Sequence, residues 1–375
     1  MLKVNVNAAT LKNAASFVKG SVAGFSPVAS YLGIKFSTEN GELVLSAYNG
    51  SSFAKRTIPY ASVIEEGNAV VSGKLLMGIL STADPISMVD LEETKSTLRI
   101  KSEWKSYNLP LVGSDEIPSQ PEFKGALNFE IPKDTFDSVV GGILPCVGKE
   151  KPGTNPATYG ISLVGGDHPI LSATTGTCYA ERTLPIALPP IDAVTSASIW
   201  NRMSKLKEGK TVSITIDDTH IEMSVKDKNG ISTLVEPRFH AKAFRAGFVD
   251  SLNPTISASM NKEVLMGVLR DASVFQGAKV MPIRFEFDQK ESCVKASLLS
   301  EMGHYKAEIP ITDSYVRGNE SDVFGFDPNL LRGIVAEVPE DEHGNVTMEL
   351  TNPISPMVFH KEGFVDVILP FRLNA

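Results

Sequence analysis

Three stretches of this 375-residue chain follow one pattern: Gly33 to Pro59, Gly160 to Pro185 and Pro282 to Pro310. Each opens on Gly or Pro followed by Ile and runs through an alternating strand containing Ser-Ala or Ala-Ser. Each closes on Ala, one or two charged residues and an Ile-Pro or Leu-Pro. The starts lie 127 and 122 residues apart, so a module of about 120 residues is used three times. Any element of the chain must therefore be read beside its two counterparts.

Within the repeat the same elements recur in the same order. Apolar residues fall at helical spacing over Ala8 to Val22 (Leu11, Ala14, Ala15, Val18), over Lys133 to Val147 (Phe136, Val139, Val140, Ile143) and over Asn261 to Phe275 (Leu265, Val268, Leu269, Ala272). That spacing predicts an amphipathic helix at the start of each module. A second helix is expected over Ser72 to Leu80, Asp192 to Lys207 and Asp327 to Val338. Period-two alternations such as Thr211 to Ile216 and Asn345 to Leu350 predict the strands that follow. Each repeat ends on an apolar strand and a proline, at Tyr107-Asn108-Leu109-Pro110, Val235-Glu236-Pro237 and Ile368-Leu369-Pro370. The expected class is α+β, with three modules that are each a doubled unit of helix plus antiparallel sheet. Pro, Gly and Ser gather at Glu116 to Gly125 and at Phe248 to Pro254, which places the modules at 1–124, 125–253 and 254–375.

Several chemistries find no support. The only cysteines are Cys146, Cys178 and Cys293, with no CxxC pair, so neither a disulfide framework nor a zinc site is expected. The first residues alternate as a strand with no apolar run, which gives an expectation of a cytoplasmic protein with no membrane association. His168, His220, His240, His304, His343 and His360 are isolated from one another. Gly209-Lys210-Thr211 imitates the end of a phosphate loop, but Ser204 stands where that motif needs Gly, and a strand pattern follows it instead of a helix. No acid–base or nucleophile set is recognisable, so a non-catalytic protein without cofactor or metal is expected.

A net charge of −8 argues against a protein that coats nucleic acid through its overall charge. Local charge is more informative. Lys12, Ser16 and Lys19 form one stripe opposite the apolar face of the first helix. Lys74, Arg202, Lys205, Lys207 and Arg332 stand off the apolar stripes of the second helices, and Lys133, Lys262 and Arg270 do so on the later opening helices. An ordinary solvated helix face accounts for any one of these residues, whereas together they can pave a common surface. Acidic residues gather elsewhere, at Glu65-Glu66, Glu92-Glu93 and Glu340-Asp341-Glu342.

The C-terminal run Val367-Ile368-Leu369-Pro370-Phe371-Arg372-Leu373 is similar to a V-x-M-P-M-R-L terminus, and Ala173 to Ala180 stands where an A-T-D-G-H-R-L-A segment would. With the threefold module, these features make the whole chain resemble the bacterial-type DNA polymerase III beta sliding clamp. The resemblance implies a head-to-tail homodimer that closes a ring around duplex DNA, with sequence-independent phosphate contacts. It also implies docking of a DNA polymerase, a clamp loader and other proteins carrying clamp-binding motifs. By that resemblance the DNA-facing residues are Lys12, Lys19, Lys74, Lys133, Arg202, Lys205, Lys207, Lys262, Arg270 and Arg332. The dimer contacts map to Tyr107, Leu109, Val274 and Phe275, which plain core packing would equally explain. The partner-peptide pocket maps to Thr158, Thr174, Gly176, Thr177, Cys178, Tyr179, Val280, Asp327, Leu330, Ile354, Pro356, Val367, Leu369, Pro370, Phe371 and Arg372. Departures are plain: Thr177-Cys178 replaces His-Arg, Asp327 and Leu330 replace Asn and Tyr, and Phe244 to Phe248 lacks the F-P-D-Y-R-R pattern, so no pocket residue is assigned there. A ring-shaped scaffold that binds proteins without loading on DNA is the alternative from a different class.

Overall fold

The computed structural model describes residues 1–112, 117–245, 247, 249, 252–316 and 322–373. Of the two expected junction segments, Glu116, Phe248, Asp250 and Ser251 lie outside the described residues, as does Ala246. The six α-helices among the described residues are α1 (Ala8–Lys19), α2 (Gly73–Ser81), α3 (Lys133–Ile143), α4 (Ala197–Ser204), α5 (Lys262–Val274) and α6 (Pro328–Glu337). A strand leads directly into α1, α3 and α5; further strands, a second helix and a last set of strands follow each time. The threefold order read from the sequence is thus the order of the elements.

Local chemistry explains the helix starts. Asn7 and Asn261 end their strands and cap α1 and α5, their side-chain oxygens accepting from Thr10 N and Val264 N at 3.1 Å each. The buried stripe of α1 is Ala8, Leu11, Ala14, Ala15 and Val18, and that of α5 is Leu265, Val268, Leu269 and Ala272. One expectation is corrected: residues 192–196 belong to the strand Leu188–Ser196, and α4 begins only at Ala197. Pro189 and Pro190 followed by the β-branched Ile191, Val194 and Thr195 favour extended backbone, which overrides the helical spacing of the apolar residues there.

By contacts the chain divides into two compact units, residues 1–136 with 198–238, and residues 137–197 with 239–375. One long antiparallel sheet of the first unit runs Leu127–Pro132, Thr211–Ile216, His220–Asp227, Gly230–Phe239, Phe53–Ile58, Glu42–Tyr48, Gly33–Glu39, Asn68–Ser72. A shorter one runs Ser62–Glu65, Lys3–Asn7, Met88–Glu93, Thr97–Ser102, Lys105–Pro110. In the second unit the long sheet runs Leu188–Ser196, Gly160–Gly166, Ile170–Thr174, Cys178–Thr183, Phe364–Ile368, Met357–Lys361, Asn345–Leu350, Ile256–Asn261. A second sheet there runs Val323–Phe326, Ile283–Asp288, Cys293–Ser300 and residues 303–310. The middle repeat is shared between the units because ladder hydrogen bonds carry each of its halves into a neighbour's sheet.

Both joins obey one rule. The last strand of a repeat lies antiparallel to the closing strand of the preceding signature stretch, with Val235 opposite Phe53 at the first join and Ile368 opposite Cys178 at the second. Corresponding positions of those closing strands, Arg56 and Arg182, carry buried arginines. Arg56 Nη2 donates to both carboxylate oxygens of Asp227 at 2.8 and 2.9 Å, and its Nη1 donates to Ser232 Oγ. Arg182 grips Asp366 with two hydrogen bonds of 2.7 and 3.1 Å, donates to Gly142 O at 2.9 Å and lies 3.6 Å over the Phe364 ring. A Cβ at Gly142 would sit 2.6 Å from Arg182 Nε, so only glycine admits the guanidinium there.

Removing one partner of a buried bidentate pair strands the other charge in a poorly solvating interior, at a cost of about 3–5 kcal/mol. Arg56→Ala is accordingly expected to lower the unfolding free energy of the first unit by that much, read from its urea transition. Lys55→Ala, which removes an exposed 2.7 Å pair with Glu39, is expected to cost under about 1 kcal/mol. Equilibrium unfolding of the two variants side by side checks the contrast.

Candidate functional site

The expected pocket residues gather in the second unit around the paired strands Cys178–Thr183 and Phe364–Ile368. Ahead of the first strand, Thr175-Gly176-Thr177 forms a tight turn in which Gly176 has φ +86°, a conformation that favours glycine. Thr174 Oγ1 donates to Cys178 O at 2.7 Å and accepts from Gly176 N at 3.0 Å, while Thr175 Oγ1 accepts from Cys178 N at 3.1 Å. Beyond the second strand the pairing continues at Leu369, whose N donates to Thr177 O at 2.8 Å, and the chain then passes to another strand, Phe371 N donating to Gly325 O at 2.7 Å. Leu373 fills the space a Cβ on Gly325 would occupy, whereas Leu369 and Phe371 are left 43% and 38% exposed. The terminal run therefore presents two large apolar side chains to solvent at the end of a rigid strand.

Beside that run, Tyr179, Val358 and Val367 form a buried apolar cluster against which Val249, Leu252 and Val365 pack. Phe244 meets Tyr179 edge-on at 5.5 Å, and the Tyr179 hydroxyl hydrogen-bonds the Glu181 carboxylate. A cavity of about 340 Å³ opens here, lined by Val249, Leu252, Pro254, Glu349, Thr351, Pro356, Val358 and His360. Phe244, Val249 and Leu252 come from stretches that sequence reading left as an unassigned segment and a linker. Their apolar character among polar neighbours is the signal that was available. Thr158 joins the turn through Gly148, whose N–H donates to Thr158 O at 3.0 Å and whose Cβ position lies 3.6 Å from Thr175 Cα.

Other expected pocket residues stand differently. Asp327 is the N-cap of α6, accepting from Asn329 N at 2.8 Å and Leu330 N at 3.2 Å, so its carboxylate is already engaged. Half-buried Leu330 follows in the first turn of that helix. Val280 is 49% exposed on the loop after α5, and Ile354 is 71% exposed in the turn before Pro356. Pro370 is half-buried and Arg372 exposed on the terminal run.

The basic residues fall into two groups. Lys19, Lys74, Lys205, Lys207 and Arg270 are exposed, and Lys12 and Arg332 are half-exposed. A cleft of about 640 Å³ in the first unit is lined by Asn13 and Ser16 of α1 together with Arg202, Lys205 and Lys207. Lys133 is a correction to the DNA-facing set, since it is only 4% exposed and its Nζ donates to Ser204 O, the last residue of α4. Lys262, at the same place on α5, donates from Nζ to Val338 O at 2.9 Å just past α6 and pairs with Glu340 at 3.4 Å. Both lysines satisfy carbonyls at the negative end of a neighbouring helix, a role that sequence spacing does not distinguish from a solvated face. Arg202 is likewise tied down, donating to Phe17 O at 3.1 Å, Ser21 Oγ at 3.0 Å and Ser52 Oγ at 3.2 Å.

Of the expected dimer contacts, Tyr107 is half-buried on the strand Lys105–Pro110, and Leu109 is 2% exposed in the core of its own unit. Val274 is 74% exposed at the end of α5, and Phe275 lies against Tyr305 with ring centroids 5.8 Å apart. Among the described residues, Lys105–Pro110 and residues 303–310 each pair along only one edge. No helix among the described residues is long and apolar enough to cross a membrane.

These helices and joined antiparallel sheets define a clamp-type fold. Solved structures of a putative DNA polymerase III beta subunit from Eubacterium rectale and of the DNA polymerase sliding clamp from Bacillus subtilis both match it with a TM-score of 0.86, over 100% of this chain and 100% of theirs, at 17% and 16% identity. The beta subunit from Thermotoga maritima matches at 0.84 over the same shares, with 16% identity. In sequence, the beta sliding clamp of Streptomyces coelicolor is 26% identical over 185 residues, which is 48% of this chain and 47% of that protein. The aligned stretch thus spans about half the length of that curated relative. No family model matches. In fold over its full length, and in sequence over half of it, the chain resembles the bacterial DNA polymerase III beta sliding clamps.

Asp366 offers a test of how the strand beneath the site is held. Burial pushes its carboxyl up to about 6, against the pull of Arg182. The fold therefore favours the protonated acid: the contribution is fully present below pH 3.8, the ordinary value, and is lost as pH rises through about 6. Compared with Asp366→Asn, the native protein is expected to lose stability between pH 4 and 6, with a slope of at most about 1.4 kcal/mol per pH unit. Thermal unfolding of both proteins across that range checks it.

Proposed function

We propose that this chain is a sliding clamp: a non-catalytic cytoplasmic protein that closes a ring around duplex DNA and tethers a DNA polymerase and other replication proteins to it. The observation that carries this reading is the pair of open strand edges. Two of three equivalent joins are made within the chain, each by the last strand of one repeat against the closing strand of the one before. Among the described residues, the strands that would make the third join, Lys105–Pro110 at the end of the first repeat and residues 303–310 closing the third signature stretch, each pair along one edge only. A second copy of the chain satisfies both edges by the same rule, in a head-to-tail homodimer of six modules bounded at 1–124, 125–253 and 254–375. The contact then brings Tyr107 toward Tyr305, Phe275 and Val274.

Through such a ring the DNA is held by topology and needs only exchangeable phosphate contacts. Lys12, Lys19, Lys74, Lys205, Lys207, Arg270 and Arg332 remain to make them, without base readout. The apolar ledge of Leu369 and Phe371 beside the Tyr179–Val367 cluster suits short peptides of the polymerase, the clamp loader and other partners.

Light scattering is expected to give twice the 40.4 kDa chain mass. Phe275→Asp, which places a charge in the contact, is expected to raise the dimer dissociation constant about a hundredfold or more. With a clamp loader present, the native protein is expected to stay on circular duplex and to slide off linear duplex. Removing both Lys205 and Lys207 is expected to lower the salt slope of duplex binding by about 2. A dimer whose binding ignores DNA topology points instead to a scaffold that holds proteins alone.

A further inference from the structure

Strand pairing fixes which residues correspond at the two intrachain joins. Val235 stands between Phe53 and Glu222 at the first join, as Val367 stands between Tyr179 and Val358 at the second. Directly opposed residues share one face of a sheet. Two positions before Glu222 and Val358 come His220 and Pro356. At the second join the space over Val358 and Pro356 is the cavity of about 340 Å³. At the first join the corresponding space is filled by the chain itself. Ile117, 4% exposed, packs with Phe53 and Val235, and Phe123 lies against the same cluster. The Gln120 amide donates to the Glu222 carboxylate, and the Phe123 ring meets His220 edge-on with centroids 6.4 Å apart. Lys124 N then donates to Asp217 Oδ2 at 3.1 Å.

Residues 117–124 are held as a bound peptide is held. They belong to no helix or strand. Pro118 and Pro121 have no amide hydrogen to give to a ladder, and each biases itself and the residue before it toward extended backbone. Ile117, Gln120 and Phe123 recur at every third position and are buried or half-buried, whereas Pro118, Ser119 and Glu122 are exposed. Three residues per turn is the period of an extended, proline-containing segment that turns one face to a surface. Recognition through separate side-chain seats along such a segment is a peptide-docking mode.

We propose that the first join is a second peptide-docking surface, closed in the free chain by its own linker, which stands in for an extended partner peptide carrying an aliphatic residue, an amide and an aromatic residue at every third position. Such a peptide displaces residues 117–124 and takes the same seats: the aliphatic side chain against Phe53 and Val235, the amide on Glu222, the aromatic ring against His220. The linker is tethered and competes at high effective concentration, so a peptide supplied in trans binds with an affinity lowered by the fraction of time the seats stand vacant. Val358 and Pro356 stand where Glu222 and His220 do, so the amide and aromatic seats are particular to the first join. Neither DNA nor ring closure enters, and the surface goes beyond the clamp reading.

The test uses the full-length protein and a fluorescent synthetic peptide with the sequence of residues 117–124, together with a version carrying a photoreactive benzophenone in place of its aromatic ring. Anisotropy is expected to show weak binding to the native protein. Gln120→Ala with Phe123→Ala loosens the linker while leaving Ile117 in place, and is expected to tighten peptide binding about tenfold or more. Adding Glu222→Ala to that variant is expected to cancel the gain, and the photoproduct is expected on the strand His220–Asp227. Hydrogen exchange at the Val235 amide reads whether the join stays folded. Unchanged protection there supports the proposal; protection lost in the double variant makes the linker part of the fold and overturns it. Unchanged peptide affinity in the double variant also overturns it, as do photoproducts confined to the surroundings of Val358, which assign the peptide to the other join. These readouts need no loader, ring or DNA, so failure here is distinguishable from failure of the clamp reading.

Discussion

Backbone hydrogen bonding between the edge strands of successive repeats is the interaction on which the rest of this structure depends. An exposed strand edge is a row of unmet donors and acceptors, and here the second and third repeats meet that demand by pairing their last strands with the repeat before. The sheet becomes continuous across the repeat boundary, which is why contacts group half of the middle repeat with each neighbour. At both intrachain joins a buried arginine on the closing strand, Arg56 or Arg182, locks a carboxylate of the adjoining repeat. The third closing strand has Ala307 at the corresponding position. The edge proposed to receive a second copy thus lacks the arginine that fixes the other two joins.

The groove depends on the second of these joins. Strand Phe364–Ile368 is held against Cys178–Thr183 along its length, the pairing continues through Leu369, and Phe371 then bridges to Gly325 on another strand. Alternation along the strand separates its roles. Val365 and Val367 face the apolar cluster with Tyr179, while Asp366 turns to the buried side and meets Arg182. Under the proposed clamp reading, a firm strand with one apolar face gives a docking peptide a surface that needs no ordering beforehand. The departures at Thr177 and Cys178 fall at the turn that anchors this strand, so they bear on how the groove is supported as much as on what it contacts.

Much of the fold was legible because repetition makes weak local signals agree. The opening helices are where periodicity puts them, with Leu11, Val18, Leu265 and Leu269 buried as expected. Reading failed where two local preferences competed, as at residues 192–196, where prolines and β-branched residues overrode a helical spacing. Lysines were the harder case. Lys133 and Lys262 look like surface residues in sequence, yet each reaches the carbonyl end of a helix more than seventy residues away.

What the sequence determined by itself was the order and kind of elements, the threefold module and the resemblance carried by the terminal LPFRL. These depend on periodicity and on short spacings, which neighbouring residues impose on one another. Tertiary structure alone decided which strand edges are paired and which, among the described residues, are open, and that Phe244, Val249 and Leu252 adjoin Tyr179 or its apolar cluster. Such facts depend on distant segments meeting through backbone hydrogen bonds and buried charge, and those interactions leave no period in the chain.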